Sequence, residues 1–316
     1  MIQMRIIRKL VVFATVTGLL SVCNITAYAA NQDSAASGQR QTLTHDGIER
    51  SYVVRVPHDL AQRNGPVPLV LVLHGGGGNA GNAERMTGFT DEAGKEGFIV
   101  VYPEGTGRFN GKLLTWNAGH CCGYAMKNRS DDVGFISALI DKLIKEYPVD
   151  TKRIYATGMS NGGMMTNRLG IALSNQFAAI APVVASLFGD EVRPQYPVSA
   201  LIVNGMLDKH VPVQGGLTGG YFPDAWDGTP MKPVQEVATF WAHADGCINA
   251  PEQVDKPAFV LTRYRCPDGR DVESYLVKDN GHAWPGGQRG SRMGDDPVTT
   301  VNGTEVIWAF FKSHTK

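Results

Sequence analysis

Residues Gly158-Met159-Ser160-Asn161-Gly162 form a G-x-S-x-G pattern, entered by the apolar run Ile154-Tyr155-Ala156 and followed by a helix-forming stretch with paired methionines. The pattern suits a strand that turns sharply into a helix with a serine at the apex, because small flanking residues let the backbone fold tightly. Such a turn lifts the hydroxyl clear of a sheet and aims it at a helix N-terminus, where oriented N–H groups favour negative charge. The chemistry open to Ser160 there is nucleophilic acyl transfer. A glycine-rich turn can also contain serine by chance. The acyl-transfer reading therefore requires a base, an acid that orients the base, and donors for an oxyanion.

Sites on open α/β sheets lie beyond the carboxyl ends of strands, and on that scaffold the partners arrive in the order serine, acid, histidine. Of eight histidines, His45, His58, His74 and His120 precede Ser160. His243 sits in a helical stretch, His314 in the terminal tail, and His210 only two residues after the best acid. His282 follows the strand-like SYLVKD, within Asn280-Gly281-His282-Ala283-Trp284-Pro285-Gly286-Gly287, and is the expected base. Asp208 follows the apolar run 200–204 and is the expected acid, whereas Asp190, Asp224 and Asp227 do not directly follow a buried strand. The N–H of Asn161 is one expected oxyanion donor. The second is expected from Gly75 or Gly76, in the glycine loop after Leu73, where backbone N–H groups are unshielded. That loop lacks the lysine of a phosphate-binding loop, which disfavours nucleotide. Trp116, Tyr124 and Trp284 are candidates to line an acyl or aromatic pocket, with loop anchoring an equal alternative for each. Asp131 and Asp132 read as helix-capping residues, and neither a metal nor any other cofactor is expected.

The elements that must position these residues are legible as alternating patterns. Residues 66–73 (PVPLVLVL) and 98–102 (FIVVY) are continuous apolar runs, as in parallel strands buried on both faces. Residues 153–157, 177–185, 200–204 and 272–277 predict further strands. A hairpin is predicted around His45-Asp46-Gly47. A helix is predicted from Ser130 or Asp131 to Pro148, with Val133, Ile136, Ile140, Leu143, Ile144 and Tyr147 on one face. Residues 163–173 predict the helix after Ser160, and 302–312 a closing helix with Asn302 and Glu305 spaced as a capping box. Strand, helix and strand in alternation imply a mostly parallel central sheet with helices on both faces. Residues 41–316 are expected to form one catalytic domain.

Lys+Arg and Asp+Glu each total 30, a balance that argues against nucleic-acid or anionic-membrane partners. Arg5, Arg8 and Lys9 precede an apolar run from Leu10 to Val22 and an A-x-A site at Ala27-Tyr28-Ala29. Residues 1–29 therefore read as a cleaved export signal, too short to span a bilayer comfortably, and 30–40 as a flexible leader. A lipoprotein anchored at Cys23 is the weaker alternative. The remaining cysteines are Cys121, Cys122, Cys247 and Cys266, an even number that favours disulfides over zinc in an exported protein. Cys247 and Cys266 are expected to pair; Cys121 and Cys122 would bridge each other or stay reduced.

The stretches LVLHGGGGN, WNAGHCCG, DDVGFI, GMSNGGMM, VNGMLDKHVPV, NGHAWPGG and IWAFF resemble the secreted polyhydroxybutyrate-depolymerase-like esterases, which shade into feruloyl and acetylxylan esterases. The resemblance runs over about residues 48–312 and departs from the family pattern at Met206-Leu207. It implies an α/β-hydrolase fold, a Ser160, Asp208 and His282 triad, and a secreted serine ester hydrolase without cofactor. Polyester or esterified plant polysaccharide is the implied substrate. An inactive hydrolase-fold binding protein is the alternative from another class, and a secreted serine peptidase of this fold a third.

Overall fold

Leu69, Leu71 and Leu73 alternate with Val70 and Val72, and in an extended chain successive side chains leave opposite faces. Both sets are buried, in two different cores, so this run can only be a central strand covered on both sides. A computed structural model of the protein describes residues 38–109, 111–218, 225–291 and 294–316. The expected export signal (1–29), Cys23, leader residues 30–37 and Asp224 lie outside the described residues.

In chain order the elements are β1 (Gln41–His45), β2 (Ile48–Arg55), β3 (Val67–Leu73), α1 (Ala80–Thr87), α2 (Phe89–Glu96), β4 (Ile99–Pro103), α3 (Gly123–Lys127), α4 (Asp132–Glu146), β5 (Val149–Met159), α5 (Asn161–Ala172), β6 (Ala179–Val183), β7 (Ser199–Gly205), α6 (Val234–Ala244), β8 (Glu252–Asp255), β9 (Phe259–Arg265), β10 (Asp271–Val277) and α7 (Gly303–Lys312). One ten-stranded sheet runs in the order β1-β2-β4-β3-β5-β6-β7-β10-β9-β8. The six strands from β4 to β10 are parallel to one another. Antiparallel strands extend it at both edges: β2 on β4 with β1 outside it, and β9 on β10 with β8 outside it. All carboxyl ends of the parallel strands therefore open on one edge of the sheet, where Ser160, Asp208 and His282 follow β5, β7 and β10.

Two cores sandwich the sheet. One packs α4, α5 and α6 against Leu69, Leu71, Ile154 and Ala156. The other packs α1, α2 and α7 against Val70, Val72, Val100 and Tyr155. Helix α4 begins one residue after its cap, the Asp131 carboxylate accepting from the Gly134 N–H at 3.0 Å. Asp132, expected as a second capping residue, does not cap: it is the first residue of the helix, and its buried carboxylate pairs with Arg50 at 2.6 Å and accepts from the Asn117 N–H at 2.7 Å. This ties the loop after β4 to strand β2. Helices α1 and α2 and the β8–β9 arm are elements that the sequence patterns did not predict. The two helices are eight residues each, split at Gly88 in a left-handed conformation (φ 68°), too short for an apolar stripe to repeat. No helix among the described residues is long and apolar enough to cross a membrane.

Candidate active site

The turn after β5 is built by close approach. A side chain on Gly158 would place its Cβ 2.6 Å from the Gly162 carbonyl oxygen, so only glycine allows strand and helix to meet there. Gly162 is pressed in the same way against the carbonyls of Leu73 and His74. Ser160 takes φ 56° and ψ −122°, a conformation costing a non-glycine residue about 1–3 kcal/mol. Its neighbours impose it: the Ser160 N–H donates to the Val183 carbonyl at 2.9 Å, and its carbonyl accepts from Met164 at 2.8 Å. Ser160 is partly exposed at the N-terminus of α5.

Strand ends β7 and β10 are stitched together beyond the sheet by Met206 N–H to Val277 (2.9 Å) and Leu207 N–H to Asn280 (3.0 Å). This brings Asp208 to His282, whose Nδ1 lies 2.8 Å from Asp208 Oδ2. The Asp208 side chain has no solvent exposure, and its Oδ1 accepts from the N–H groups of His210 (2.8 Å) and Val211 (2.9 Å). With a carboxylate at Nδ1 the imidazole proton resides there, leaving the Nε2 lone pair free to accept another. The base loop is held from its other side. Asp295 accepts the His282 N–H at 2.7 Å, and the buried Asn280 carboxamide donates to Gly281 and Ala283 at 2.9 Å.

The glycine loop after β3 lies against the turn. A Cβ on Gly75 would stand 3.7 Å from Ser160 Cβ, and one on Gly76 would stand 3.7 Å from Asn161 Cβ. The three expected oxyanion residues are thus neighbours of one another and of Ser160. Asn161 is the first residue of α5, among the N–H groups a helix cannot pair internally.

Two of the three expected pocket residues are corrected by burial. Trp116 is fully buried, with its indole N–H on the His74 carbonyl at 3.0 Å. Trp284 is equally buried, donating to Thr304 at 3.0 Å and packed edge-on to Phe89. Neither can line a pocket open to substrate. Tyr124, on α3, is 39% exposed. Cys121 and Cys122 are bonded to each other, and Cys247 to Cys266. His120, Asp190 and Asp227 come together: the imidazole contacts Asp190 at 2.9 Å and Asp227 at 2.6 Å, and these hydrogen bonds, Asp190's first, raise its pKa.

His210 and Asp295 are site residues that sequence reasoning missed. The His210 ring stands 4.8 Å from that of His282, centroid to centroid. Burial first, and the neighbouring His282 next, lower its pKa. Its spacing from Asp208 was the available signal; for Asp295, on a loop with no pattern, there was none. His45, Asp46 and Asp131 are the one grouping with metal-ligand spacing among the described residues. It is largely exposed, and His45 already contacts Asp131 at 2.8 Å.

Residues 50–213 match the family model described as Esterase PHB depolymerase, more than half of the 316-residue chain. The chain belongs to this family. The matched residues take in the glycine loop, Trp116, the Ser160 turn and Asp208, and end before His282. Among relatives, NocK of Nocardia uniformis subsp. tsuyamanensis is 33% identical over 233 residues, covering 70% of this chain and 66% of its own. Feruloyl esterase B of Piromyces equi is 31% identical over 231 residues, covering 71% of this chain and 41% of its own. The chain thus spans less than two thirds of the length of either. Among solved structures, an acetyl xylan esterase from Aspergillus awamori superposes with a TM-score of 0.60 at 16% identity, over 87% of this chain and all of that one. That likeness is one of fold, the α/β-hydrolase fold.

Proposed function

We propose that this protein is a secreted serine carboxylic-ester hydrolase working through an acyl-enzyme, with Ser160 as nucleophile, His282 as base and Asp208 as the acid orienting it. The observation that carries the reading is the buried Asp208 carboxylate 2.8 Å from His282 Nδ1, at the same sheet edge as the strained Ser160 turn. Ser160 Oγ attacks the ester carbonyl and His282 Nε2 takes its proton. The imidazolium is stabilised by Asp208 and returns the proton to the departing alcohol. The N–H groups of Asn161 and of Gly75 or Gly76 receive the developing oxyanion. Water, deprotonated by the same histidine, then releases the acid.

The substrate class best supported is a polyhydroxyalkanoate or related ester, on the strength of the family match. Removal of feruloyl or acetyl groups from plant polysaccharide is the second reading, supported by the relative named feruloyl esterase B. Residues 41–316 act as one catalytic domain, delivered outside the cytoplasm by the segment 1–29. Turnover of p-nitrophenyl butyrate tests the reaction, with Ser160→Ala expected to lose it. An inactive wild type would return the chain to an inactive binding protein, and an undiminished Ser160→Ala variant would remove Ser160 as the nucleophile. Clearing of polyhydroxybutyrate films against ferulate release from methyl ferulate separates the two substrate classes.

A further inference from the structure

The glycines that make the oxyanion loop open also make it loose: without side chains they hold no conformation of their own. Oxyanion donors act only when held in place before the charge develops, and a misplacement of about 1 Å costs on the order of a hundredfold in rate. Something outside the loop must hold it, and among its contacts one buried side chain links it to the nucleophile turn.

Trp116 lies beneath the loop. Its indole N–H donates to the His74 carbonyl, the peptide immediately before Gly75, at 3.0 Å. The His74 imidazole continues the bracing. Its Nδ1–H donates to the Gly75 carbonyl at 2.8 Å, and its Nε2 accepts the Gly105 N–H at 3.0 Å. Those two contacts specify one neutral tautomer, and burial pushes the imidazole down to about 4, so it stays neutral throughout ordinary pH. The loop's far end is pinned by the Gly77 N–H on the Leu114 carbonyl at 2.8 Å.

Trp116 is in turn fixed to the nucleophile turn. The Asn161 carboxamide grips its backbone from both sides, Oδ1 accepting the Trp116 N–H at 2.7 Å and Nδ2 donating to the Trp116 carbonyl at 2.9 Å. Asn161 is the residue whose own N–H is the other oxyanion donor. His74, Trp116 and Asn161 are each at most 1% exposed, so water does not substitute for a lost partner. The two donors, on separate segments of chain, are thereby joined through one residue, Asn161 holding the Trp116 backbone and the indole holding the His74 carbonyl.

We infer that Trp116 is a positioning residue for the oxyanion hole, setting the glycine loop against Asn161 through the His74 carbonyl. The inference rests on the Ser160 hydrolase reading above. It also explains why a tryptophan, rather than any large apolar residue, occupies a site with no access to substrate.

Two changes remove the indole N–H: Trp116→Phe, and replacement of Trp116 by 3-benzothienylalanine through amber suppression, which keeps the ring's size and puts sulfur where the N–H was. The second serves if the first fails to fold. The expected result is a kcat about 10- to 100-fold lower with KM within about twofold. Affinity for a boronic acid that forms a tetrahedral adduct at Ser160 should fall in parallel, while the isostere remains folded at assay temperature, its unfolding temperature lowered only by the loss of one buried hydrogen bond. Unchanged kcat in a folded variant overturns the inference, as does a rise in KM alone, which would mark Trp116 as a substrate-binding residue. Ser160→Ala distinguishes the two levels. If it is inactive and the Trp116 variants are normal, only the positioning role falls; if it is fully active, the hydrolase reading falls as well.

Discussion

Asp208 receives two backbone N–H groups on one oxygen and the His282 imidazole on the other, in a place with no solvent. Each contact has a different consequence when lost. In Asp208→Asn the Oδ1 partners survive, but the atom facing Nδ1 becomes an amide that cannot stabilise an imidazolium and favours the wrong tautomer. Turnover should drop by roughly 10³- to 10⁴-fold with little change in KM or in the unfolding temperature. A variant that keeps most of its kcat would remove Asp208 from the proposed triad. His210, its ring tilted against that of His282, adds a constraint of charge. A proton on His210 would oppose the proton that His282 must hold, and burial already disfavours the charged form of His210.

At the scale of elements, the parallel strands and the antiparallel arm do different work. Strands β5, β7 and β10 carry the site residues at their carboxyl ends, whereas β8 and β9 extend the sheet away from them. The Cys247–Cys266 bond joins cysteines 19 positions apart, just past the end of α6 and just past the end of β9, anchoring that arm. A loop of this length restricts the unfolded chain by about 3 kcal/mol. Replacing both cysteines with serine should therefore lower stability by about that amount in urea unfolding while leaving kcat near wild type. Lost turnover in the folded double variant would mean that the arm shapes the site after all.

Across the whole molecule, two buried titrating groups shape stability in opposite senses. His74 is held down to about 4 by burial, below its unfolded value near 6.5. Between those values the unfolded chain binds the extra proton, so this contribution is present above pH 6.5 and lost as pH falls towards 4. Asp245 is pushed up to about 7, burial outweighing the Val198 N–H and the nearby Arg270 and Arg193. Here the folded chain keeps its proton while the unfolded one releases it, so stability declines from pH 4 to 7. Asp245→Asn keeps an acceptor for the Val198 N–H, 2.9 Å away, and carries no charge to bury. It should gain roughly 1–3 kcal/mol over wild type at pH 8, and nothing at pH 4. Unfolding temperatures measured across that range decide it; an equal effect at both ends would show that Asp245 does not titrate in the fold.

Much of this protein is legible one segment at a time. The runs 66–73 and 98–102 announce buried strands because a strand covered on both faces needs apolar residues at every position. Ser160, Asp208 and His282 are recognisable because each directly follows such a run, and sites on parallel sheets gather at strand ends. The helix after Asp131 and the closing helix after Asn302 carry their caps in their own sequence. Contacts between distant segments are another matter. Tryptophan and histidine each have an apolar body and a polar handle, so their type does not say whether they face a substrate or a carbonyl. Only the packed molecule buries Trp116 on the His74 carbonyl, Trp284 against Phe89 and Thr304, and seats His210 beside His282. Only it sets Asp295 under the His282 amide, or gathers Asp190 and Asp227 around His120. Those placements depend on how four strand ends and their loops are stacked, which no local pattern of residues encodes.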